Sequence, residues 1–218
     1  MDEIKRITND VLLDISYKKG FNIVFIEKDY LLTYLLYLIK DVEGIYFKGG
    51  TALNKIFLNH ARLSEDLDFT LVKDLDSVEK DIKEKLKGTM FDKITHDKRV
   101  DKFIRLIIHY KLFHDEGTIF IDLNKRGKLL SKPEKHLVKN FYSEFIPEFS
   151  IKTLSRDELI AEKMAATIGR NKPRDHYDLY KIISYKIPID LNLVKQKCKN
   201  SGDEFDITKM FNRANKLK

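Results

Sequence analysis

Ile45-Tyr46-Phe47-Lys48-Gly49-Gly50-Thr51-Ala52-Leu53 is a short β-prone run stopped by two glycines and followed by a helical pattern that lasts to about His60. Bulky β-branched and aromatic side chains favour an extended chain, and the glycine pair punctuates it, so the unit reads strand, turn, helix. Working outward, Asp66-Leu67-Asp68-Phe69-Thr70-Leu71 alternates polar and apolar residues and predicts a second strand. Upstream, Leu31, Leu32, Leu35, Leu36 and Ile39 recur at helical spacing and predict a packing helix, while residues 77–86 read as a charged surface helix. Three further strand candidates lie around 91–96, 103–113 and 118–123. The front of the chain is therefore mixed α and β.

The back reads differently. Ser155 and Glu158 have the spacing of a capping box, which starts a helix there, and Asn171-Lys172-Pro173 should end it. Helical patterns then cover residues 174–184, 191–199 and the stretch after Asp206. No internal repeat, low-complexity tract or Gly/Ser/Pro-rich linker interrupts the chain. The expected layout is residues 1–150 as an α/β core and 151–218 as a helical region that completes its cleft.

The 218 residues are 43% hydrophobic, enough for a real core and against disorder. Lys+Arg of 41 against Asp+Glu of 34 leaves a net charge of +7, which favours polyanions without choosing among them. The single cysteine, Cys198, cannot form an intramolecular disulfide, and a reducing cytoplasm fits it. The most apolar stretch, residues 30–39, is far short of the roughly 20 needed to span a bilayer. The opening MDEIKRITND lacks the apolar centre of a signal peptide. No membrane association is expected.

Asp66 and Asp68 stand two apart on a strand, so their carboxylates leave one face and can share a metal ion while Leu67 and Phe69 enter the core. Magnesium takes oxygen ligands and keeps open positions for substrate phosphates. Asp-x-Asp also arises on solvated strand edges. Gly49-Gly50-Thr51 can cradle a phosphate, since glycine permits close approach, Thr51 carries a hydroxyl and a helix N-terminus offers free N–H groups. An ordinary strand-to-helix turn also needs glycine, and no P-loop or Gly-x-Gly-x-x-Gly is present.

Together these segments are recognisable. Gly49-Gly50-Thr51-Ala52-Leu53 followed by Arg62-Leu63-Ser64-Glu65-Asp66-Leu67-Asp68-Phe69 resembles the signature of the AbiEii/MenT group within the DNA polymerase β-like nucleotidyltransferases. Glu158-Leu159-Ile160-Ala161-Glu162-Lys163 and Lys172-Pro173-Arg174-Asp175-His176-Tyr177-Asp178-Leu179-Tyr180 resemble its later motifs, so the likeness runs from about Tyr46 to Lys181. The resemblance implies an α+β, nucleotidyltransferase-like fold: a mixed β-sheet core, flanking helices and a C-terminal helical region. It also implies Mg²⁺- or Mn²⁺-dependent transfer of a nucleoside monophosphate from a nucleoside triphosphate to an acceptor hydroxyl. In characterised members that acceptor can be the 3′ end of tRNA, and the protein is the toxin of a toxin–antitoxin pair with a cognate antitoxin.

The expected metal ligands are Asp66, Asp68 and a third carboxylate, for which Asp122 in Thr118-Ile119-Phe120-Ile121-Asp122-Leu123 is the candidate. A buried carboxylate there needs a partner and a metal is one; the other reading is an aspartate leading into the turn at 124–128. Arg105 and Lys111, on the preceding strand, face phosphate or water. Lys163 falls in the apolar stripe of Leu159, Ile160, Met164, Thr167 and Ile168, where an ammonium needs an anion, either the triphosphate or the aspartates of the next helix. Asp178 shares a face with Asp175, and a substrate-facing Lys163–Asp178 pair competes with a purely structural tie between helices. Asp175 is a further nucleotide-site candidate or a helix cap. Arg62 contacts phosphate or pairs with Glu65. Tyr46, Phe47 and Phe69 offer stacking or core packing, and the six histidines show no zinc spacing. Two alternatives stay open, a non-catalytic nucleotide- or RNA-binding module and a kinase-like phosphotransferase.

Overall fold

A computed structural model describes residues 4–113 and 115–215; His114, one of the six histidines, lies outside the described residues. Two helices open the chain, α1 (Asn9–Lys19) and α2 (Ile23–Ile39). The front continues with β1 (Ile45–Lys48), α3 (Gly49–Ile56), β2 (Asp66–Leu71), α4 (Leu75–Leu86), β3 (Ile94–Val100), β4 (Phe103–Leu112), β5 (Asp115–Asn124), β6 (Glu134–Leu137) and β7 (Ser150–Thr153). Four helices follow: α5 (Arg156–Gly169), α6 (Pro173–Ser184), α7 (Leu191–Ser201) and α8 (Ile207–Asn215).

The strands form one mixed sheet of order β3-β4-β5-β2-β1-β7-β6, parallel at β2/β5 and β1/β7 and antiparallel elsewhere. The fold is thus the expected α+β core with flanking helices. On β2 the alternation works as read: Leu67 and Phe69 are fully buried while Asp66 and Asp68 are half-buried on the other face. Phe69 packs on Phe47, its register partner across β1, with ring centroids 5.4 Å apart. The α2 stripe of Leu31, Leu32, Leu35, Leu36 and Ile39 is fully buried in the same core. Burying a side chain of that kind is worth about 1.5–3 kcal/mol, so this helix is a main anchor of the sheet.

The back has its own apolar cluster, Ala161, Met164, Ala165 and Ile168 of α5 against Leu179, Val194, Cys198 and Met210. Leu159 of α5 belongs instead to the main core, and Ile160 packs with Leu53 of α3. Helix α5 therefore sits between the sheet side and the later helices. Among the described residues, no helix is long and apolar enough to cross a membrane.

Three differences from the sequence reading exceed a shift of a few residues at an end or add an element. Helix α3 stops at Ile56 rather than near His60, because Asn59 and His60 take φ of 49° and 55° and turn the chain away. The strand expected at 91–96 lies at Ile94–Val100, an exposed edge, and Phe91 is buried outside it. Strands β6 and β7, each of four residues, had not been anticipated.

Candidate active site

Helix α3 begins at Gly49 directly after β1, with no intervening loop. Gly49 has φ of 77°, and a Cβ there would lie 2.1 Å from Asp68 Oδ2; a Cβ on Gly50 would lie 2.7 Å from Arg62 Nη2. Glycine is therefore required twice over at Gly49, for the left-handed backbone and for the carboxylate pressed against it. The N-cap residue Lys48 makes no side-chain cap bond, and no acid sits in the first turn. The free N–H ends of α3 thus remain available where an anion is favoured. Gly49 and Gly50 line the same cleft as Asp66, Asp68 and Asp122, a space of about 680 Å³.

Strands β2 and β5 set the acids side by side, because their parallel register pairs Asp68 with Asp122. Burial pushes Asp68 up to about 6; Lys48 opposes this, and Asp122, Asp66 and Glu162 add to it. Asp66 is also raised, first by burial and then by Asp122, against the pull of Arg174, whose Nη1 stands 4.0 Å from Asp66 Oδ2. Crowded carboxylates that resist ionisation need a cation, and oxygen-only donors suit a hard divalent ion. On this chemistry Asp66 and Asp68 fit Mg²⁺ or Mn²⁺. Asp122 is differently placed: Arg105, its register partner on β4, donates Nε to Oδ1 at 2.6 Å and Nη2 to Oδ2 at 2.7 Å. Among the described residues, no three His, Cys, Asp or Glu side chains are grouped so as to hold a metal ion.

Lys163 bridges both aspartates of the next helix, with Nζ 2.8 Å from Asp175 Oδ1 and 3.0 Å from Asp178 Oδ2. It is 8% exposed; both aspartates are completely buried. Asp175 also accepts from Arg170 at 2.7 Å; burial alone would raise its pKa, but Arg170 and Lys163 overcome this and hold it at about 2. Asp178 accepts two bonds from Arg62, Nε at 2.8 Å and Nη2 at 2.7 Å, and one from Asn54. Lys163, Asp175 and Arg62 line the cleft, whereas Asp178 lies behind them. Arg62 therefore faces Asp178 rather than Glu65, which pairs with Lys28.

Other candidates are placed away from the chemistry. The Thr51 hydroxyl donates to the backbone carbonyl of Asp66 at 2.5 Å and is buried, tying α3 to β2 instead of lining the cleft. Lys111 pairs with exposed Glu116 at the far end of β4. Phe47 and Phe69 are core residues, Phe69 also reaching the cleft wall.

Several cleft residues escaped the sequence reading. Lys48 is paired with Glu162 at 2.8 Å; burial would lower its pKa, but Glu162, Asp68 and Glu158 carry it upward. Arg126, Lys128, Arg170 and Arg174 add cations on the cleft wall. Glu158 does not turn back to complete the capping box; Ser155 Oγ accepts from its N–H at 3.2 Å, while its carboxylate takes the N–H groups of Leu130 and Ser131, the Ser131 hydroxyl and Lys197. The only available signal was position, since Lys48 precedes the glycines and Glu162 precedes Lys163.

Solved structures share this architecture. MenT4, a nucleotidyltransferase toxin of Mycobacterium tuberculosis, superposes with a TM-score of 0.70 at 22% identity over 92% of this chain and 75% of that one. JHP933 of Helicobacter pylori gives a TM-score of 0.59 at 21% identity over 81% of this chain and 73% of its own. At these identities the likeness is one of fold. Among curated proteins, no sequence matches the chain closely enough to count as a relative. The family model described as nucleotidyl transferase AbiEii toxin, type IV toxin–antitoxin system, matches residues 31–217. With most of the chain inside that match, the protein belongs to the AbiEii nucleotidyltransferase toxin family of type IV toxin–antitoxin systems.

Proposed function

We propose that the chain transfers a nucleoside monophosphate from a nucleoside triphosphate to a hydroxyl at the 3′ end of an RNA such as tRNA, as a toxin held in check by a cognate antitoxin in the cytoplasm. The observation that carries this reading is the contact of Gly49 with Asp68, which joins an uncapped helix N-terminus to a pair of crowded carboxylates in one cleft. Residues 1–150 supply the sheet-borne acids and the glycine turn, and 151–218 supply the opposite wall.

In this mechanism the N–H groups of Gly49 and Gly50 and the ammonium of Lys163 receive the triphosphate, and Asp175 and Asp178 hold Lys163 in place. Asp66 and Asp68 would hold Mg²⁺ or Mn²⁺, which supplies charge neutralisation at the phosphates. The acceptor oxygen forms a bond to the α-phosphorus, the α–β phosphoanhydride bond breaks, and pyrophosphate leaves. The acceptor proton is lost to water at the open side of the cleft. Arg126 and Lys128 stand where the backbone of a polyanionic acceptor can reach them.

The test is transfer of label from each α-labelled nucleoside triphosphate to tRNA, with pyrophosphate measured alongside. Asp66→Asn and Asp68→Asn are each expected to lose about 100-fold or more, the usual scale for a lost catalytic group. Activity within about threefold of wild type in either variant would reject these roles. Release of a nucleoside diphosphate in place of pyrophosphate would favour phosphoryl transfer instead.

A further inference from the structure

Three aspartates of the sheet, Asp66, Asp68 and Asp122, line the cleft, but they are not in equivalent states. Among the described residues no hydrogen bond reaches the carboxylates of Asp66 and Asp68, and the nearest cation to Asp66 is 4.0 Å away. Asp122 has both oxygens bridged by one guanidinium, in the fork geometry that makes such pairs strong. The fork is held from three sides. Antiparallel register sets Arg105 opposite Asp122, the Phe120 ring lies 5.3 Å from the guanidinium carbon, and Asp97 is 3.7 Å from Nη1. Phe120 is itself the register partner of Asp66, so the guanidinium sits over the sheet between the metal-site strand and the edge.

With the fork intact, Asp122 has only the second lone pair of each oxygen to offer a metal, and a divalent ion there must approach an arginine that cannot lose its proton. Meanwhile Nη1 makes no hydrogen bond among the described residues, and the Arg105 side chain is 36% exposed at the cleft. An anchored guanidinium whose remaining nitrogen meets only the half-exposed carboxylate of Asp97, at 3.7 Å, can give that nitrogen to a phosphate.

Resting on the function proposed above, we infer that Asp122 is not a metal ligand but a positioning residue: it fixes Arg105, whose Nη1 exchanges its loose contact with Asp97 for a phosphate oxygen of the nucleotide or acceptor, and the divalent ion is held by Asp66 and Asp68 without it. The cleft then presents phosphate with a metal on one side and a rigid arginine on the other.

The experiment uses the full chain and two probes, Mn²⁺ alone followed by electron paramagnetic resonance, and the magnesium complex of inorganic tripolyphosphate followed by calorimetry. Asp68→Asn should weaken Mn²⁺ binding about tenfold or more, and Asp122→Asn, which removes only a neighbouring charge, should weaken it clearly less. Asp122→Asn and Arg105→Lys should each weaken tripolyphosphate about tenfold, and the double variant should be little worse than either, because both break one unit. Arg105→Lys leaves every acid in place, so it decides the phosphate contact even if Asp122→Asn folds poorly. Loss of Mn²⁺ affinity in Asp122→Asn equal to that in Asp68→Asn would make Asp122 a ligand and overturn the inference. Wild-type tripolyphosphate affinity in Arg105→Lys would overturn it from the other side. A wild-type chain that binds no Mn²⁺ sinks the metal site of the proposed function itself, a result distinct from both.

Discussion

Asp68 has the largest upward shift among the cleft acids, and its consequence is a pH dependence with a definite sign. Its carboxyl is held at about 6 against an ordinary value of 3.8, so in metal-free protein its contribution is fully favourable below about 4 and is lost as pH rises through about 6. Asp68→Asn lacks that loss. Thermal melts in chelator should show the Asn variant gaining a few degrees on wild type between about pH 4 and 7. Excess Mg²⁺ should close the gap above pH 7 by stabilising wild type alone; a gap that does not grow with pH would mean the carboxylate is not held up. Gly49 gives a second test at the same scale. Gly49→Ala combines a left-handed backbone, about 1–3 kcal/mol for an ordinary residue, with a Cβ 2.1 Å from Asp68, so both stability and transfer should fall. Gly50→Ala meets only the end of Arg62, at 2.7 Å, and should be milder in urea unfolding and in turnover.

Helices α5 and α6 are joined by charges rather than by apolar contact alone. Removing Asp178 takes from Arg62 its carboxylate partner and leaves Lys163 on Asp175 alone, and Asp178→Ala should cost about 3–5 kcal/mol in urea unfolding, the usual loss when a buried pair is broken. Lys163→Ala leaves Arg62 on Asp178 and Arg170 on Asp175, so it should cost less while weakening nucleotide affinity more. The double variant should fall short of the sum. Element scale is also where the sequence was most and least readable. The β1–α3–β2 unit could be read because alternation and a glycine pair mark its edges within a few residues. Strands β6 and β7 could not, since four residues are too few to show a period and Glu134–Leu137 is largely polar. The motif residues named a site, but the Arg105–Asp122 fork and the Lys48–Glu162 pair join residues 17 and 114 positions apart and exist only once the sheet and helices are assembled. The Ser155–Glu158 spacing located a helix start correctly, yet tertiary partners captured the glutamate.

At the scale of the whole molecule, a net charge of +7 and the exposed pair Arg126 and Lys128 at the cleft fit an acceptor that is a polyanion. RNA affinity is expected to fall about tenfold or more between 50 and 200 mM salt, as counterion release requires when several phosphates are contacted. Arg126→Glu with Lys128→Glu should flatten that slope in a filter-binding titration; an unchanged slope would place the RNA elsewhere. The deepest consequence of the architecture lies with Glu158. Its carboxylate gathers the chain at Leu130 and Ser131 and closes on Lys197 of α7 at 2.7 Å, so three distant segments meet at one completely buried charge. During translation the sheet aspartates leave the ribosome long before Lys197 does. Until that lysine arrives, Glu158 lacks its ion-pair partner and α5 lacks the Val194 and Cys198 side of its apolar cluster. The order of synthesis thus imposes a delay between the birth of the acids and the completion of the chamber that would arm them.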